Sequence, residues 1–479
     1  MHFATEYWLT RFCFQRALGG IYLIAFLIAA NQFIPLLGER GLQPVRLFVR
    51  RIPFRQAPSL FYIKCSDRFI TATIWFGVAL SIFAITGLSE SFELGVSVLT
   101  WALLWMIYLS LVNVGQTFYG FGWETMLTET GFLAIFLGSS DTRPPVIVMW
   151  LILWALFRTM FGAGMIKVRA DPCWRDLTCL FYHYETQPLP NPLSWYLHHA
   201  PRWFHKTGVL FNHFAELIVP WFYFAPAPLS YWAGGITILF QITLIVSGNL
   251  SWLNYMTIVL CIPCFDDRLL AGLFTVPHSV PAHLSLPHAI AVGALTVVVF
   301  SLSWRPARNL FSRRQIMNAS FEPLHLVNTY GAFGAVTRER LEVVIKGTAA
   351  EFPDPSAQWQ EYEFKGKPGD VNRRPCVVSP YHWKLDWQMW FAAMSSAEFH
   401  PWIFPLIQKL LEGEKRINRL FAHNPFPNAP PKFIRADWYR YNFTNPGAAG
   451  WWTRTHIGEY LPPVGLRIAS THQERGTAS

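Results

Sequence analysis

The chain has 479 residues, of which 52% are hydrophobic, 16% aromatic and only 14% charged, with a formal net charge of +10. Average soluble domains run near 25% charged, so an ordinary soluble globule is excluded, and 22 Trp with 40 Phe suit a multi-pass membrane protein with aromatic belts at the bilayer interfaces. The positive charge sits mostly in loops beside apolar runs and comes with no DNA- or RNA-binding motif, so it points to anionic lipid headgroups rather than nucleic acid.

Apolar runs occur at 17–37, 69–88, 94–114, 118–138, 145–163, 208–224, 229–248, 250–264 and 287–303. Each is long enough, or nearly so, to cross about 30 Å of hydrocarbon, with 250–264 the marginal case, so eight or nine transmembrane helices are expected. The first run is too long for the core of a cleavable signal, and no small-residue site follows it. After Trp304 the chain turns polar and Pro-rich. The expected fold class is a multi-pass α-helical membrane bundle over 1–304, including a Cys/His/Trp/Pro-rich extramembrane loop at 164–207. A soluble α+β domain with a small β-sheet follows over 305–479. Within it LEVVIKGT (341–348) and WQEYEFKG (359–366) alternate as half-buried strands, and RPCVVSP (374–380) reads as a third. LDWQMWFAAMSS (385–396) and HPWIFPLIQKLLEGEKRINRLF (400–421) read as helices.

With nine spans, the loops after the first, fifth and ninth share one side and hold most of the loop cations, among them Arg40, Arg46, Arg50, Lys206, Arg305 and Arg308. The positive-inside rule puts that side, and the C-terminal domain with it, in the cytoplasm.

Ionisable residues inside apolar runs are costly and face the bundle interior. Glu124, Glu129, Arg158, His213 and Glu216 are of this kind. They fit either a polar site between helices or structural ion pairs, such as Arg158 with a glutamate. Gly162, Ala163 and Gly164 permit close helix approach, and Lys167 and Arg169 beyond them read as snorkelling cations. Cys173 and Cys179 are spaced C-x5-C, which leaves a disulfide, a weak zinc site, a redox pair or free thiols open. Cys261-Ile-Pro-Cys264 ends an apolar run and reads as buried thiols. The chain has no Walker loop, GxGxxG after a strand, G-x-S-x-G elbow or HExxH, and no metal or cofactor is expected.

The stretch FRTMFGAGMIKVRADPCWRDLTCLFYHYETQPLPNPLSWYLHHAP (157–201) resembles the signature of the lipase maturation factor family. YGFGWETMLTETGFLAIFL (119–137), FEPLHLVNTYGAFGAVTRER (321–340), YEFKGKPGDVNRRPCVVSPYHWKLDWQMWFAA (362–393) and NPFPNAPPKFIRADWYRYNFT (424–444) are similar to the family's pattern too, so the likeness runs along nearly the whole chain. It implies a non-enzymatic membrane protein that assists folding and assembly of secreted lipases. Its place would be the endoplasmic reticulum, or the inner membrane in a bacterial member. The family's C-terminal domain lies on the lumenal side and is implicated in client binding. That opposes the charge count, which folded domains and long loops can override.

On this reading the loop 171–201 is an aromatic exoplasmic platform, its start pinned by a Cys173–Cys179 bridge, that docks on PYHWKLDW (380–387). The client-binding candidates are Trp174, Tyr182, His183, Tyr184, Trp195, His198, His199, Tyr381, Trp383 and Trp387. A rival exists. AGMIKVRADPCW (163–174) distantly resembles the membrane bundle of vitamin K-dependent carboxylases, which implies Lys167 as a catalytic base.

Overall fold

The computed structural model describes residues 6–273, 276, 284–354 and 356–466. Helix α1 (Trp8–Leu37) starts well ahead of the apolar run that announces it. The reason is that Arg11 and Arg16, which bound the run in the sequence, are both partnered. Arg11 donates to the carbonyls of Thr142 (2.7 Å) and Ser140 (3.2 Å), and Arg16 pairs with Glu90 at 2.7 Å. The bundle continues with α2 (Asp67–Ile85), α3 (Leu94–Val114), α4 (Gly122–Ala134), α5 (Val146–Ala170), α6 (Arg202–His213), α7 (Leu229–Ser247), α8 (Leu253–Cys261) and α9 (Leu286–Leu310).

Among the described residues six helices, α1, α2, α3, α5, α7 and α9, are long and apolar enough to cross a membrane, fewer than the eight or nine expected. The difference lies in three runs. The 13 residues of α4 cover only about 20 Å at 1.5 Å each, and all but Phe132 are buried, so α4 is a core helix. The 208–224 run is broken. Helix α6 passes into a π-helical turn, Phe214–Ile218, and then a 3-10 turn, Val219–Phe224, whose Pro220 lacks an N–H for an α-helical bond. Helix α8, with its short extension to Cys264, is likewise too short. Apolar composition alone does not separate a lipid-facing helix from one enclosed by its neighbours.

One end of the bundle is tied by Asp267, whose carboxylate accepts the N–H groups of Trp8 (2.6 Å) and Leu9 (2.9 Å). The C-terminal region caps the other end. Gln32 near the end of α1 donates to the His382 carbonyl at 2.7 Å and accepts the Lys384 N–H at 2.9 Å. Asn249, just past α7, donates to the Cys376 carbonyl and accepts the Val378 N–H, each at 2.8 Å. This explains why RPCVVSP is not the strand expected: its backbone groups bond to a bundle side chain instead of a ladder.

The C-terminal strands are β1 (Ala319–Ser320), β2 (Asn328–Thr329), β3 (Arg340–Thr348), β4 (Gln360–Glu361), β5 (Glu363–Phe364), β6 (Phe421–His423), β7 (Phe433–Phe443) and β8 (Trp452–Gly465). The main antiparallel sheet has the order β4-β3-β7-β8, with β1-β2 and β5-β6 as separate pairs. LEVVIKGT forms β3, buried on both faces rather than half-buried, WQEYEFKG is split at Tyr362 into β4 and β5 of different sheets, and LDWQMWFAAMSS forms α10 (Lys384–Ala392). The single helix expected over 400–421 stops as α11 (Ile403–Leu411), where Gly413 takes a left-handed conformation (φ +68°) that ends a helix at little cost. Residues Val343 and Ile345 of β3 join Leu385 and Met389 of α10 in a hydrophobic cluster that also holds Phe118, Trp123 and Trp252 of the bundle. The other face of β3 carries Arg340, Glu342 and Lys346, with Val344 packed beside Tyr441, Phe443 and Trp452. The helices cover one face of the sheet, and the loop 171–201 comes against the other.

Candidate functional site

Glu124, Glu129, Arg158, Lys167 and Glu216 of the bundle are all buried. They meet residues of the C-terminal region or of one another at three buried junctions. At the first, Glu124 on α4 accepts the Tyr108 hydroxyl and the Lys384 ammonium, the latter at 2.7 Å. Lys384 also donates to the Phe118 carbonyl (3.1 Å) and lies 3.6 Å from the centre of the Tyr119 ring. His382 stands beside this pair, its ring centroid 4.9 Å from Phe121 and 5.2 Å from Trp123. Burial pushes the Lys384 ammonium below its ordinary value against the pull of Glu124. Burial also pushes His382 well down, with Lys384 adding to it, so the imidazole is neutral.

At the second junction Glu129 binds Arg158, the Asn328 N–H (3.0 Å) and the Tyr330 hydroxyl (2.7 Å), while Arg158 donates to the Asn328 carbonyl at 2.5 Å. At the third, Lys167 on α5 donates to Glu216 (2.5 Å) and to Asn212 (2.9 Å), and Asn212 donates to the second Glu216 oxygen (3.0 Å). The Trp174 ring lies 5.0 Å from the ammonium. Lys167 is therefore an enclosed, ion-paired cation and not a snorkelling one. The π turn re-aims its neighbours: Glu216 meets Lys167, while His213 bonds instead to the Trp174 carbonyl at 2.9 Å. Arg169 is also committed, to the Leu310 carbonyl at 2.7 Å.

In the loop, Cys173 and Cys179 form a disulfide. Asp171 lies close to both sulfurs, but its carboxylate takes Arg338 (2.9 Å) and the N–H groups of Cys173 (3.0 Å) and Val336 (3.2 Å). Burial lifts the Asp171 carboxyl, yet these donors outweigh it and hold it below its usual value. The loop then docks through polar groups. The Trp174 indole donates to the Phe333 carbonyl (2.9 Å), Trp195 to Thr444 (3.1 Å), and Glu185 accepts the Phe443 N–H (2.6 Å). Arg340 on β3 reaches the carbonyls of Glu185 (2.9 Å), Gln187 (2.5 Å) and Pro188 (2.9 Å).

Of the ten aromatic and histidine candidates, Trp174, His183, Tyr184 and Trp387 are buried, while Tyr182, Trp195, His198, His199, Tyr381 and Trp383 are half-buried. The structure gathers five of them into two groups, while Trp174 and Tyr182 pack on the Cys173–Cys179 cluster and His183 lies against Tyr184 and Phe333. Tyr381, Trp383 and Trp387 belong to the junction with α1 and α4. The Trp195 ring lies 4.4 Å from His199, tilted against it, and 6.0 Å from Trp451, with the exposed Tyr196 beside them. Sequence reasoning missed Arg340, Lys384 and Trp451. A cation just before an apolar strand, and one inside PYHWKLDW, were the available signals for the first two.

His183 and His198 are both held at about 4 by burial, with cations or other histidines nearby adding to the effect. The unfolded chain protonates them near 6.5, so it binds more protons than the fold between about pH 6.5 and 4. Stability is expected to fall as pH drops through that window. Glu185, raised by burial, works the other way only in the carboxylate range. Thermal unfolding of the purified protein at pH 7.5 and pH 5 checks this, and an unchanged or higher Tm at pH 5 would contradict it.

Residues 9–272 match the family described as lipase maturation factor transmembrane domain, and residues 326–462 match lipase maturation factor C-terminal domain. The chain belongs to the lipase maturation factor family. It is 44% identical to Lipase maturation factor 1 of Homo sapiens, over 96% of this chain and 88% of that protein. It is also 44% identical to Lipase maturation factor 1 of Bos taurus, over 96% and 90%. Lipase maturation factor 2 of Xenopus laevis is 29% identical over 96% and 83%. No solved structure matches the chain. In this member of the family the first two junctions join the two matched regions: Glu124, Glu129 and Arg158 come from one, and Lys384, Asn328 and Tyr330 from the other.

Proposed function

We propose that this chain is a membrane-embedded maturation factor that helps a secreted lipase fold and assemble. In a eukaryotic cell it acts in the endoplasmic reticulum membrane, with the loop 171–201 and the C-terminal region on the lumenal side as one client-facing body. The observation that carries this reading is the family match along both halves of the chain. The disulfide supports the orientation, since such bonds persist in oxidising compartments. The ion pairing of Lys167 with Glu216 supports a non-enzymatic role over proton abstraction by Lys167.

Within that body the client contact is the aromatic patch of Trp195, Tyr196, His199 and Trp451. Tyr196 is 55% exposed there, and aromatic anchors of this kind dominate binding surfaces. The buried Trp174 and Trp387 hold the platform in shape. The test is co-expression with a secreted lipase in cells lacking a family member. This chain is expected to raise lipase activity in the medium several-fold, and the Tyr196→Ala/Trp451→Ala variant is expected to lose most of that rise while inserting normally into the membrane. Correct membrane insertion of the unaltered chain with no rise in secreted activity would overturn the proposal.

A further inference from the structure

Helix α9 is the least enclosed of the six long helices, with 22% of its apolar window buried. It ends in Trp304, Arg305 and Arg308, and the chain then folds back on itself. Asn309 fixes that fold: its side chain donates to the Ile316 carbonyl at 2.8 Å and accepts the Ile316 N–H at 2.9 Å. Arg169 of α5 anchors the same turn at the Leu310 carbonyl (2.7 Å) and Gln315 (3.0 Å), and Gln315 donates to the Gly162 carbonyl at 2.8 Å. The fold-back brings Arg314 to the cleft that Arg305 and Arg308 line, of about 420 Å³, with Trp304 and Phe321 among its walls.

No residue lining this cleft is acidic. All three arginines are exposed, and among the described residues none of their guanidinium groups has a hydrogen bond or ion pair. Three unpaired arginines lining one cleft repel one another, and a guanidinium binds phosphate in a bidentate fork. The setting selects the source of that phosphate. The cleft sits at the end of a candidate membrane span, and Phe300 (81% exposed), Trp304 (71%) and Phe311 (65%) present apolar surface beside it. Trp at such a position favours the headgroup level of a bilayer. We propose that this cleft binds the phosphate-bearing headgroup of an anionic membrane lipid, whose acyl chains lie along α9. The inference rests on α9 spanning the membrane and is independent of the client and of the proposed maturation role.

The experiment uses the purified full-length protein in detergent micelles, with phosphatidylglycerol or phosphatidylcholine added and retention read by native mass spectrometry. The unaltered protein is expected to retain phosphatidylglycerol in preference to phosphatidylcholine. The Arg305→Gln/Arg308→Gln/Arg314→Gln variant is expected to lose at least about tenfold of that preference, given what each cation contributes near an anionic surface. Arg308→Gln alone, which changes one exposed side chain, is expected to lose part of it and keeps the test open if the triple variant folds poorly. The control is Arg46→Gln/Arg50→Gln/Arg55→Gln, which removes the same charge from exposed positions at the same end of the bundle. Unchanged retention by the triple variant would overturn the proposal. So would an equal loss in the control, which would mean general charge attraction. Full displacement of the lipid by millimolar inorganic phosphate would also overturn it, since the site would then serve a soluble anion.

Discussion

Arg340→Met is expected to destabilise the protein by about 3–5 kcal/mol, the usual cost of removing one partner from a buried charge network. The guanidinium is fully enclosed and donates to Glu342 (2.6 Å) as well as to the carbonyls of Glu185, Gln187 and Pro188. Lys367 approaches the other Glu342 oxygen at 2.9 Å. Without Arg340 one carboxylate keeps a single cation, and three buried carbonyls lose their donor with no water to replace it. Methionine fills similar volume, so the loss reports polar contacts more than packing. Because those carbonyls belong to the loop, the variant should also open the 185–201 segment to protease, and a Tm within about 1 °C of the parent with no new cleavage would refute this account. Arg340→Lys should lie between the two, since an ammonium keeps the charge and loses the fork that serves several acceptors at once.

Lys384→Met should cost a similar amount for a different reason. It leaves the Glu124 carboxylate fully buried with the Tyr108 hydroxyl as its hydrogen-bond partner and the His382 imidazole 4.0 Å away. Neutralising the carboxylate at the same time, in Glu124→Gln/Lys384→Met, should recover most of the loss, because an uncompensated charge is the costly species. A thermal-unfolding cycle over the four proteins measures the coupling. Simple additivity of the two single losses would show that the residues do not act as a pair.

The helical bundle, the start of the sheet and the polar loop were legible because they depend on local pattern. The two longest strands were not. β7 is buried at Ile434 and Ala436 on the helix-covered face, then at Tyr441 and Phe443 on the opposite face. Its alternation therefore changes side midway, and a period-2 reading sees no single apolar face. β8 pairs with it through three irregularities and holds Pro462 and Pro463, which an edge strand tolerates. The partners of Glu124 and Glu129 were illegible for another reason. Both lie far along the chain, 260 residues away for Lys384 and 199 for Asn328. Sequence patterning reports that a charge inside an apolar run needs a partner, and it does not say which distant segment supplies one. Arg158 was an exception, since a second charge of opposite sign lay in a neighbouring run.

That distance sets an order of events during synthesis. A ribosome that has finished α4 has released two carboxylates destined for burial, and the groups that complete their hydrogen bonding have not yet been made. Arg158 reaches Glu129 first, with α5, but the Asn328 amides and the Tyr330 hydroxyl come much later, and Glu124 waits for Lys384. The membrane half is thus an unfinished assembly until the last third of the chain docks on it. A chain truncated after α9 should behave as an orphan subunit, retained by quality control and cleared, and the C-terminal third expressed alone should expose the apolar surface that Phe118 and Trp123 cover in the intact protein.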